Sequence, residues 1–471
     1  MSAWWTCAQR ATGAAAALAL AGCATFSADG GFERVSELTH ERTGQTPKWQ
    51  RNAADGPLTQ ALIAEVLAKP LTADAAVEVA LLNNRGLQAS FQELGIAEAE
   101  LVQAGRLRNP TFSFAKMRAG GVTTEIERAV MINLLAILTM PLGRDLEQHR
   151  FKQTQLQIAA EAVAIAAEAR RAYFSAVAAQ ELAKHFERVK DAADASSELA
   201  RRMVQAGNFS KLMQMREHAF YADATAQLAR SRHLAATERE RLTRALGMPS
   251  SLQFTLPERL PDLPQVPGQL QDAEQVAMDK RLDVLVAKQS ADAVARSLEL
   301  TKVTRMVNVL DVAYRNKSVT GEPRENGYEI EIELPIFDFG TTRVARAETT
   351  YMQAVHRASE IAVNARSQVR ESYSAYRTTY DLARHYRDEV VPLRKRISEE
   401  ALLRYNGMLI GIFELLADSR DQVASVTAAI EAQRDFWLAD TDLQMAMTGT
   451  GPAPARVQRV TTSPVPAAGG H

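Results

Sequence analysis

The sequence contains very little cysteine and few aromatic residues. Cys7 and Cys23 are the only cysteines among 471 residues, and both lie near the N-terminus. A fold held together by disulfide bonds is therefore excluded for the body of the chain. Aromatic residues make up 6% of the chain, whereas alanine is frequent, as in residues 158–170. Small side chains let helices approach one another closely, so this composition indicates long helices packed side by side.

The chain also lacks an excess of charge of either sign. Its formal net charge is −1 with 24% charged residues, so it offers no basic surface to nucleic acid. The histidines are scattered singly, and neither a phosphate-binding glycine loop with lysine nor a nucleophile elbow occurs. We therefore expect no metal, no cofactor and no enzymatic activity. The eight histidines are His40, His149, His185, His218, His233, His356, His385 and His471.

Residues 1–22 are predicted to be a secretory signal peptide. They hold a short apolar run that ends in small residues and is too short to span a membrane. Residues 20–23, Leu-Ala-Gly-Cys, resemble the bacterial lipobox, which implies cleavage before Cys23 and acylation of its thiol. A plain signal peptide with a chance cysteine is the alternative. Ala24 stands where an aspartate would imply inner-membrane retention, so the resemblance implies the outer membrane.

Residues 327–340 carry the clearest strand pattern. Four apolar side chains alternate with three glutamates, and a period of two places the two sets on opposite faces of a strand. Such a strand suits either a half-buried sheet of a soluble domain or the wall of a membrane barrel with a wet interior. The chain is otherwise almost entirely long helix, which favours the barrel. The apolar set is Tyr328, Ile330, Ile332 and Leu334, and the acidic set is Glu329, Glu331 and Glu333.

A first repeat is predicted over residues 71–248. It begins with a helix that ends before Pro110, because proline biases its predecessor toward extended geometry. Strands follow at about 111–117 and 126–140, and then a long helix turns back on itself near Gly207. The apolar residues of 126–140 alternate poorly, so a buried helix segment is the alternative for this piece.

The same order of elements recurs about 200 residues later, which indicates an internal duplication. A Pro-rich linker over 249–268 leads into a second repeat over 269–448. This repeat has strands at about 308–315 and 328–337 and a second long helix that breaks near Gly407. The regions outside the repeats are a lipid anchor and tether with a short helix over 23–70 and a disordered tail over 449–471. Pro392 is expected to kink or interrupt the second long helix.

Two strand hairpins give four strands in each chain, which is too few to close a barrel. An open sheet edge is not tolerated against lipid, because unpaired backbone groups there cost several kcal/mol each. Chains must therefore pool their strands, and a homotrimer with about twelve strands would close around a wet interior. The predicted fold class is mainly α with a membrane β-barrel, in which duplicated repeats form a twelve-stranded trimeric barrel continued by a long helical barrel.

Four short motifs together resemble the TolC-like outer-membrane efflux family, the exit ducts of tripartite pumps and type I secretion systems. The motifs precede the first strand, follow the last strand and mark the two helical turns. The resemblance covers about 71–449. It implies a homotrimer in outer-membrane lipid whose periplasmic helical tips dock on an adaptor protein joined to an inner-membrane pump. The motifs are Asn109-Pro110, residues 334–340 (LPIFDFG), residues 206–210 (AGNFS) and residues 405–416 (YNGMLIGIFELL).

The resemblance assigns the two helical turns to adaptor docking. The first tip comprises Gly207, Asn208, Phe209 and Ser210, and the second comprises Met408, Leu409, Ile410 and Gly411. In the second tip the glycine comes one residue earlier than usual, at Gly407. Phe209 and Leu409 are expected to be exposed for a partner, with packing against the neighbouring hairpin as the alternative. Glu414 falls where the family often carries an acid at the periplasmic constriction, while Met213 replaces the acid of the first repeat.

Acidic strand residues are expected to line the duct. Glu329, Glu331, Glu333 and Asp311 would face the lumen, where carboxylates would favour cations as acidic rings do in cation pores. The alternative is that they are merely solvated and offset by nearby basic groups. For Glu414 the alternative is an ordinary solvated helix face. For the whole chain it is a periplasmic coiled-coil adaptor or scaffold lipoprotein, which would have no need of four amphipathic strands.

Overall fold

The structure is a computed structural model that describes residues 25–52, 54–120, 123–249, 253–268 and 272–451. The predicted signal peptide, Cys23 and residues 452–471 of the predicted tail lie outside the described residues. Within the described ranges the chain is mostly helical and has one four-stranded antiparallel sheet. This composition agrees with the predicted class of a mainly helical fold with a few strands.

The N-terminal half contains six helices and two strands in its described residues. They are α1 (Phe32–Thr43), α2 (Asp55–Leu67), α3 (Ala73–Asn83), α4 (Arg85–Ala104), β1 (Thr111–Ala119), β2 (Thr123–Asn133), α5 (Leu134–Gln205) and α6 (Lys211–Ala245). Helix α5 has 72 residues, which corresponds to a length of roughly 110 Å. Its alanine-rich face packs against α3, α4, α6 and α1 and forms the main core.

The C-terminal half repeats this order. Its elements are α7 (Ala273–Lys280), α8 (Leu282–Val303), β3 (Leu310–Val319), β4 (Glu325–Ile332), α9 (Thr341–His385), a π-helical turn (Tyr386–Val390), α10 (Val391–Asn406) and α11 (Ile412–Thr448). Strands β1 and β3 begin 199 residues apart, at Thr111 and Leu310. The spacing agrees with the duplication indicated by the sequence.

The region before the first repeat is more ordered than the predicted tether. It contains two helices, and α1 buries Val35 and Leu38 against α5. The Arg42 guanidinium donates to the Lys280 carbonyl at 2.7 Å and to the Thr448 carbonyl at 3.2 Å. Helix α1 therefore connects the first repeat to both ends of the second, and the expectation of a tether with one short helix is wrong for these residues.

The prediction of a strand over 126–140 is wrong in its second half. Strand β2 ends at Asn133, whose side-chain oxygen accepts the Ala136 amide at 2.6 Å and so caps the start of α5. Residues 134–140 are helical, which agrees with the alternative of a helix segment that their poor alternation left open. The other strands are shifted as well: β3 continues to Val319, and β4 runs from Glu325 only to Ile332.

Each repeat opens with a broken helix rather than a continuous one. Thr72 caps α3, and Asn84 ends α3 and caps α4, where its side-chain oxygen accepts the Leu87 amide at 3.1 Å. In the second repeat Arg281 takes the place of Asn84, with an extended backbone between α7 and α8. The break turns each short helix away from its successor.

Pro392 interrupts the second long helix, as predicted. It stands at the start of α10, directly after the π-helical turn. Proline has no amide hydrogen, and its ring collides with the carbonyl four residues earlier. The wider π-helical turn is the local accommodation of that collision.

The sheet has the order β1-β2-β3-β4, so the two repeats meet through the pairing of β2 with β3. Strands β1 and β4 stand at the two edges. The helices on the sheet side form a row in the order α4, α5, α8, α9, and the helices toward the tips form a row in the order α6, α5, α11, α9 with α10. The flanking helices of both rows expose apolar side chains, such as Ile96, Val363 and Leu403.

The linker over 253–268 has no helix or strand and lies against both repeats. On the side of the first repeat the Gln180 side chain donates to the Pro257 carbonyl at 3.2 Å. The Tyr380 hydroxyl donates to the Pro264 and Gln265 carbonyls at 3.0 Å each. The first residue of the predicted tail is bound to the start of α8, because the Gly449 carbonyl accepts the Leu282 amide at 3.0 Å. Both segments connect elements that are far apart in sequence.

Candidate functional site

One face of the sheet is apolar although it is exposed in the single chain. Register places Phe112, Val130, Tyr314 and Tyr328 in one row across all four strands. The next row toward the helices contains Ile132, Val312 and Ile330. Ile330 is 65% exposed and Tyr328 84%. A contiguous apolar face of this kind marks a surface that contacts lipid or another protein.

The opposite face carries the acidic residues, while Lys116, Arg118 and Arg128 lie on the apolar face at its end away from the helices. Asp311 lies directly across from Glu331, and Glu329 projects from the same face two residues away. The sequence predicted Glu333 to be a strand residue, but it lies beyond the end of β4 at Ile332. Sequence reasoning missed Glu125 and Glu127 because the poor apolar alternation of 126–140 hid the register of β2.

Basic residues offset only part of this acidic face. Arg315 forms an ion pair with Glu329, and Lys317 forms one with Glu125. Asp311 and Glu331 are like charges directly opposite one another, which destabilises a strand pair unless water or a cation separates them. Among the described residues no hydrogen-bond partner is present for the buried oxygen Oδ1 of Asp311. Acids therefore outnumber bases on this face, and at its helical end Asp311 and Glu331 have no basic residue opposite them.

The first tip is a short helix-to-helix turn that ends α5 at a glycine. Gly207 has a φ of 75°, and the Asn208 amide donates to the Met203 carbonyl at 2.9 Å. This six-to-one bond is the pattern that closes many helices at a left-handed glycine. The Ser210 hydroxyl then accepts the Met213 amide and caps α6.

The second tip has the same geometry with a different residue at the critical position. The Leu409 amide donates to the Arg404 carbonyl at 2.9 Å, which places Met408 where Gly207 stands in the first tip. Met408 has a φ of 57°, whereas the neighbouring Gly407 has an ordinary φ of −78°. The displaced glycine therefore leaves the turn intact but forces a methionine into the left-handed region.

Replacing Met408 with glycine is expected to stabilise the second tip by about 1 kcal/mol, because a side chain in the left-handed region costs roughly 1–2 kcal/mol. Hydrogen exchange of the amides of residues 403–409 measures the gain as slower exchange. The control is Gly407→Ala, for which the added methyl group meets only ordinary contacts at 3.5 Å and beyond. Unchanged exchange in Met408→Gly would show that the methionine is not strained.

The tips expose more apolar surface than the sequence indicated. Met408 is 93% and Leu409 77% exposed, while Phe209 and Ile410 are half-buried. The expectation that Phe209 is exposed was therefore correct only in part. Five further apolar side chains near the tips are exposed although no motif marked them, because they are ordinary helix residues. They are Leu199, Leu212, Met215, Leu402 and Leu403.

Glu414 lies in the first turn of α11 and is exposed. Further along α11, Arg420 pairs with a buried acid of α6, and this pair links the two repeats. Glu217 is 2% exposed, accepts the Ser196 hydroxyl at 2.9 Å and forms an ion pair with Arg420 at 3.3 Å. Sequence reasoning missed this pair, because nothing in the chain order shows that α6 and α11 approach each other here.

Within the described ranges no helix is long and apolar enough to cross a membrane. In the same ranges no group of three or more potential metal ligands comes together.

Solved structures resemble this architecture over most of its length. The Campylobacter jejuni CmeC outer-membrane channel has a TM-score of 0.69 at 16% identity, over 80% of this chain and 86% of CmeC. The outer-membrane channel OprN has a TM-score of 0.68 at 18% identity, over 82% and 92%. The open-state Neisseria gonorrhoeae MtrE outer-membrane channel has a TM-score of 0.66 at 17% identity, over 80% and 88%.

This chain has the fold of the TolC-like outer-membrane channels. The named proteins are channels rather than enzymes, so the fold lends no support to a catalytic function. No family model matches the chain, and no curated protein matches its sequence. The likeness therefore rests on structure. The role of each residue has to be argued from its position and contacts in this chain.

Proposed function

We propose that the protein is the outer-membrane exit duct of a tripartite efflux system and moves solutes passively from the periplasm to the exterior. The observation that carries the proposal is the sheet, which has one apolar exposed face, one charged face and two unpaired edges. Lipid would cover the apolar face, and water and solutes would meet the charged one. A type I secretion duct would use the same architecture. A periplasmic adaptor would have no use for a lipid-facing sheet.

The assembly that satisfies the two sheet edges is a homotrimer. Strand β4 of one chain would pair with β1 of the next, which gives a closed barrel of twelve strands. The same rotation would bring α4 against α9 and α6 against α10, and so cover the apolar side chains of the flanking helices. The exposed tips, including Gly207 to Ser210 and Met408 to Gly411, would dock on a periplasmic adaptor joined to an inner-membrane pump. Acylated Cys23 would add a lipid anchor.

The proposal is tested by recording currents from the purified protein in planar lipid bilayers. A duct of this kind gives discrete conductance steps, whose size is set by the barrel and by the closure at the tips. A protein that binds to the bilayer without any conductance steps, even after removal of charge at the tips, would contradict the duct.

The lumen carboxylates are expected to make the duct prefer cations. We expect the double variant Glu329→Gln with Glu331→Gln to lower the ratio of potassium to chloride permeability, because acidic rings concentrate cations. The measurement is the reversal potential in a salt gradient. Glu348→Gln is the matched control, because Glu348 pairs with Lys302 on the helices. Equal ion preference in all proteins would show that these glutamates are only solvated.

Glu414 is proposed to narrow the periplasmic end of the duct. We expect Glu414→Ala to raise the conductance of the closed state, because three carboxylates from three chains would no longer ring the constriction. The conductance is compared with that of Glu431→Ala, a change of the same charge on the same helix. A closed-state conductance unaffected by Glu414→Ala would assign this residue to an ordinary solvated helix face.

A further inference from the structure

A cavity of about 640 Å³ lies between the two repeats, away from the sheet and the tips. Its walls come from the middle of α5, from the linker over 259–263, from the region of the π-helical turn and from α11. Helices α5 and α11 are the inner members of their helix row, while α6 and α10 flank it. Pairing of the flanking helices in an assembly would therefore leave this cavity, which we call the linker cavity, uncovered.

A buried histidine faces the linker cavity with an unused nitrogen. His185 is 8% exposed, and no hydrogen-bond partner for its Nε2 is found in the described part of the chain. The Val423 carbonyl lies within hydrogen-bonding reach of the ring. Burial lowers the pKa of His185 below its usual value, so the ring is neutral at neutral pH. A buried polar group without a partner indicates that something polar fills the adjacent space.

Two exposed arginines, Arg188 and Arg259, line the cavity and act electrostatically on Glu181. In the described part of the chain neither forms a direct hydrogen bond or ion pair with another residue. Arg387 also lines it but is bound to Asp388 at 2.6 and 3.0 Å. The acids of the wall are Glu181, which accepts the Leu260 amide at 3.2 Å, and Asp262. Burial raises the pKa of Glu181, against the opposing effects of the Leu260 amide, Arg259 and Arg188.

The rest of the wall is mainly apolar, apart from two glutamines of α11, Gln422 and Gln433. Its apolar residues include Val423, Val426 and Ile430 from α11 and Leu263 from the linker. A few convergent polar groups above an apolar floor, in a cavity of several hundred Å³, are the usual features of a site for a small organic molecule. Guanidinium groups suit carboxylates, which they bind through paired hydrogen bonds.

We propose that the linker cavity binds an amphipathic organic carboxylate, whose charged end contacts Arg188 and Arg259 and whose apolar body lies on α11. Such a ligand would connect α5, the linker and α11 and so join the two repeats. The lining of the site comes from one chain, so the proposal does not depend on the proposed trimer.

Binding is tested by titrating the full-length protein, held in lipid nanodiscs, with 2-naphthoate and with the uncharged 2-naphthamide. We expect one naphthoate per chain and an affinity for the amide at least about tenfold lower. Arg188→Gln and Arg259→Gln are each expected to weaken naphthoate binding by about tenfold, a typical loss for one charge-assisted contact. Arg366→Gln, an exposed arginine on α9, is the control and leaves binding unchanged. Equal binding of the two probes, or wild-type affinity in both cavity variants, would overturn the proposal.

The dependence of binding on pH tests the part of His185. The charged groups that face it are Glu181 and Arg188 from α5, Arg259 and Asp262 from the linker, and Arg387 from the π-helical turn. Bound carboxylate favours the protonated ring, so naphthoate affinity is expected to rise as the pH falls from 8 to 6. His185→Asn keeps a donor near the Val423 carbonyl and should abolish this rise. If the affinity of His185→Asn still rose as the pH fell, His185 would have no part in binding.

Discussion

Ile330→Arg is expected to destabilise the assembled protein by roughly 2–4 kcal/mol, the cost of a cationic side chain at the lipid face of a membrane barrel near its midplane. Ile330 is exposed in the single chain and has Val312 as its cross-strand neighbour on the apolar face. If that face met water, the same substitution would change stability by less than about 0.5 kcal/mol, as most surface substitutions do. The size of the effect therefore distinguishes lipid from water.

The measurement is the midpoint of urea unfolding after refolding into lipid vesicles. Glu331→Arg is the matched control, since it introduces the same side chain one residue along the same strand but on the charged face. We expect it to leave the midpoint close to that of the wild type. Equal, small effects of both substitutions would mean that lipid does not cover the apolar face.

Arg281→Met is expected to lower the free energy of unfolding by roughly 3–5 kcal/mol, because it leaves buried partners of a buried cation unsatisfied. Arg281 is 1% exposed. Its guanidinium binds the Asp283 carboxylate at 2.8 and 2.9 Å, donates to the Ala446 carbonyl at 3.1 Å and contacts Gln368. One side chain thus connects the start of α8 to both α9 and α11.

Denaturant unfolding measures this loss. The control is Arg34→Met, because Arg34 is exposed and pairs with Glu37 on the same helix, at 3.1 Å. Exposed pairs contribute at most about 1 kcal/mol. A loss for Arg281→Met no larger than that of the control would show that the surrounding helices hold their positions without it.

The long helices, the duplication and the placement of the strands could be predicted from sequence, because each depends on local periodicity. The end of β2 could not be predicted, because residues 134–140 are apolar on every side and fit a strand or a buried helix. The Asn133 cap is the feature that starts the helix there. The role of Arg281 was hidden for a different reason. A lone arginine before a helix has no local pattern, and apart from Asp283 its partners lie 84 to 165 residues away in the chain.

The tips and the charged face were predicted in outline. The displaced glycine at Gly407 indicated a change in the second turn, but only the backbone shows that Met408 adopts the left-handed conformation. The acidic face follows from register across three strands. Glu125 and Glu127 of β2 share a face with Lys317 of β3 although they are about 190 residues apart, a distance that periodicity within one strand does not reach.

We propose that three chains pool their strands in the outer membrane. The most direct measurement is the mass of the protein extracted from the membrane fraction of a Gram-negative host, by size exclusion with light scattering in detergent. The account predicts a complex of three chains that requires detergent for release and that dissociates on boiling. A monomer or dimer that washes off the membrane without detergent would contradict it.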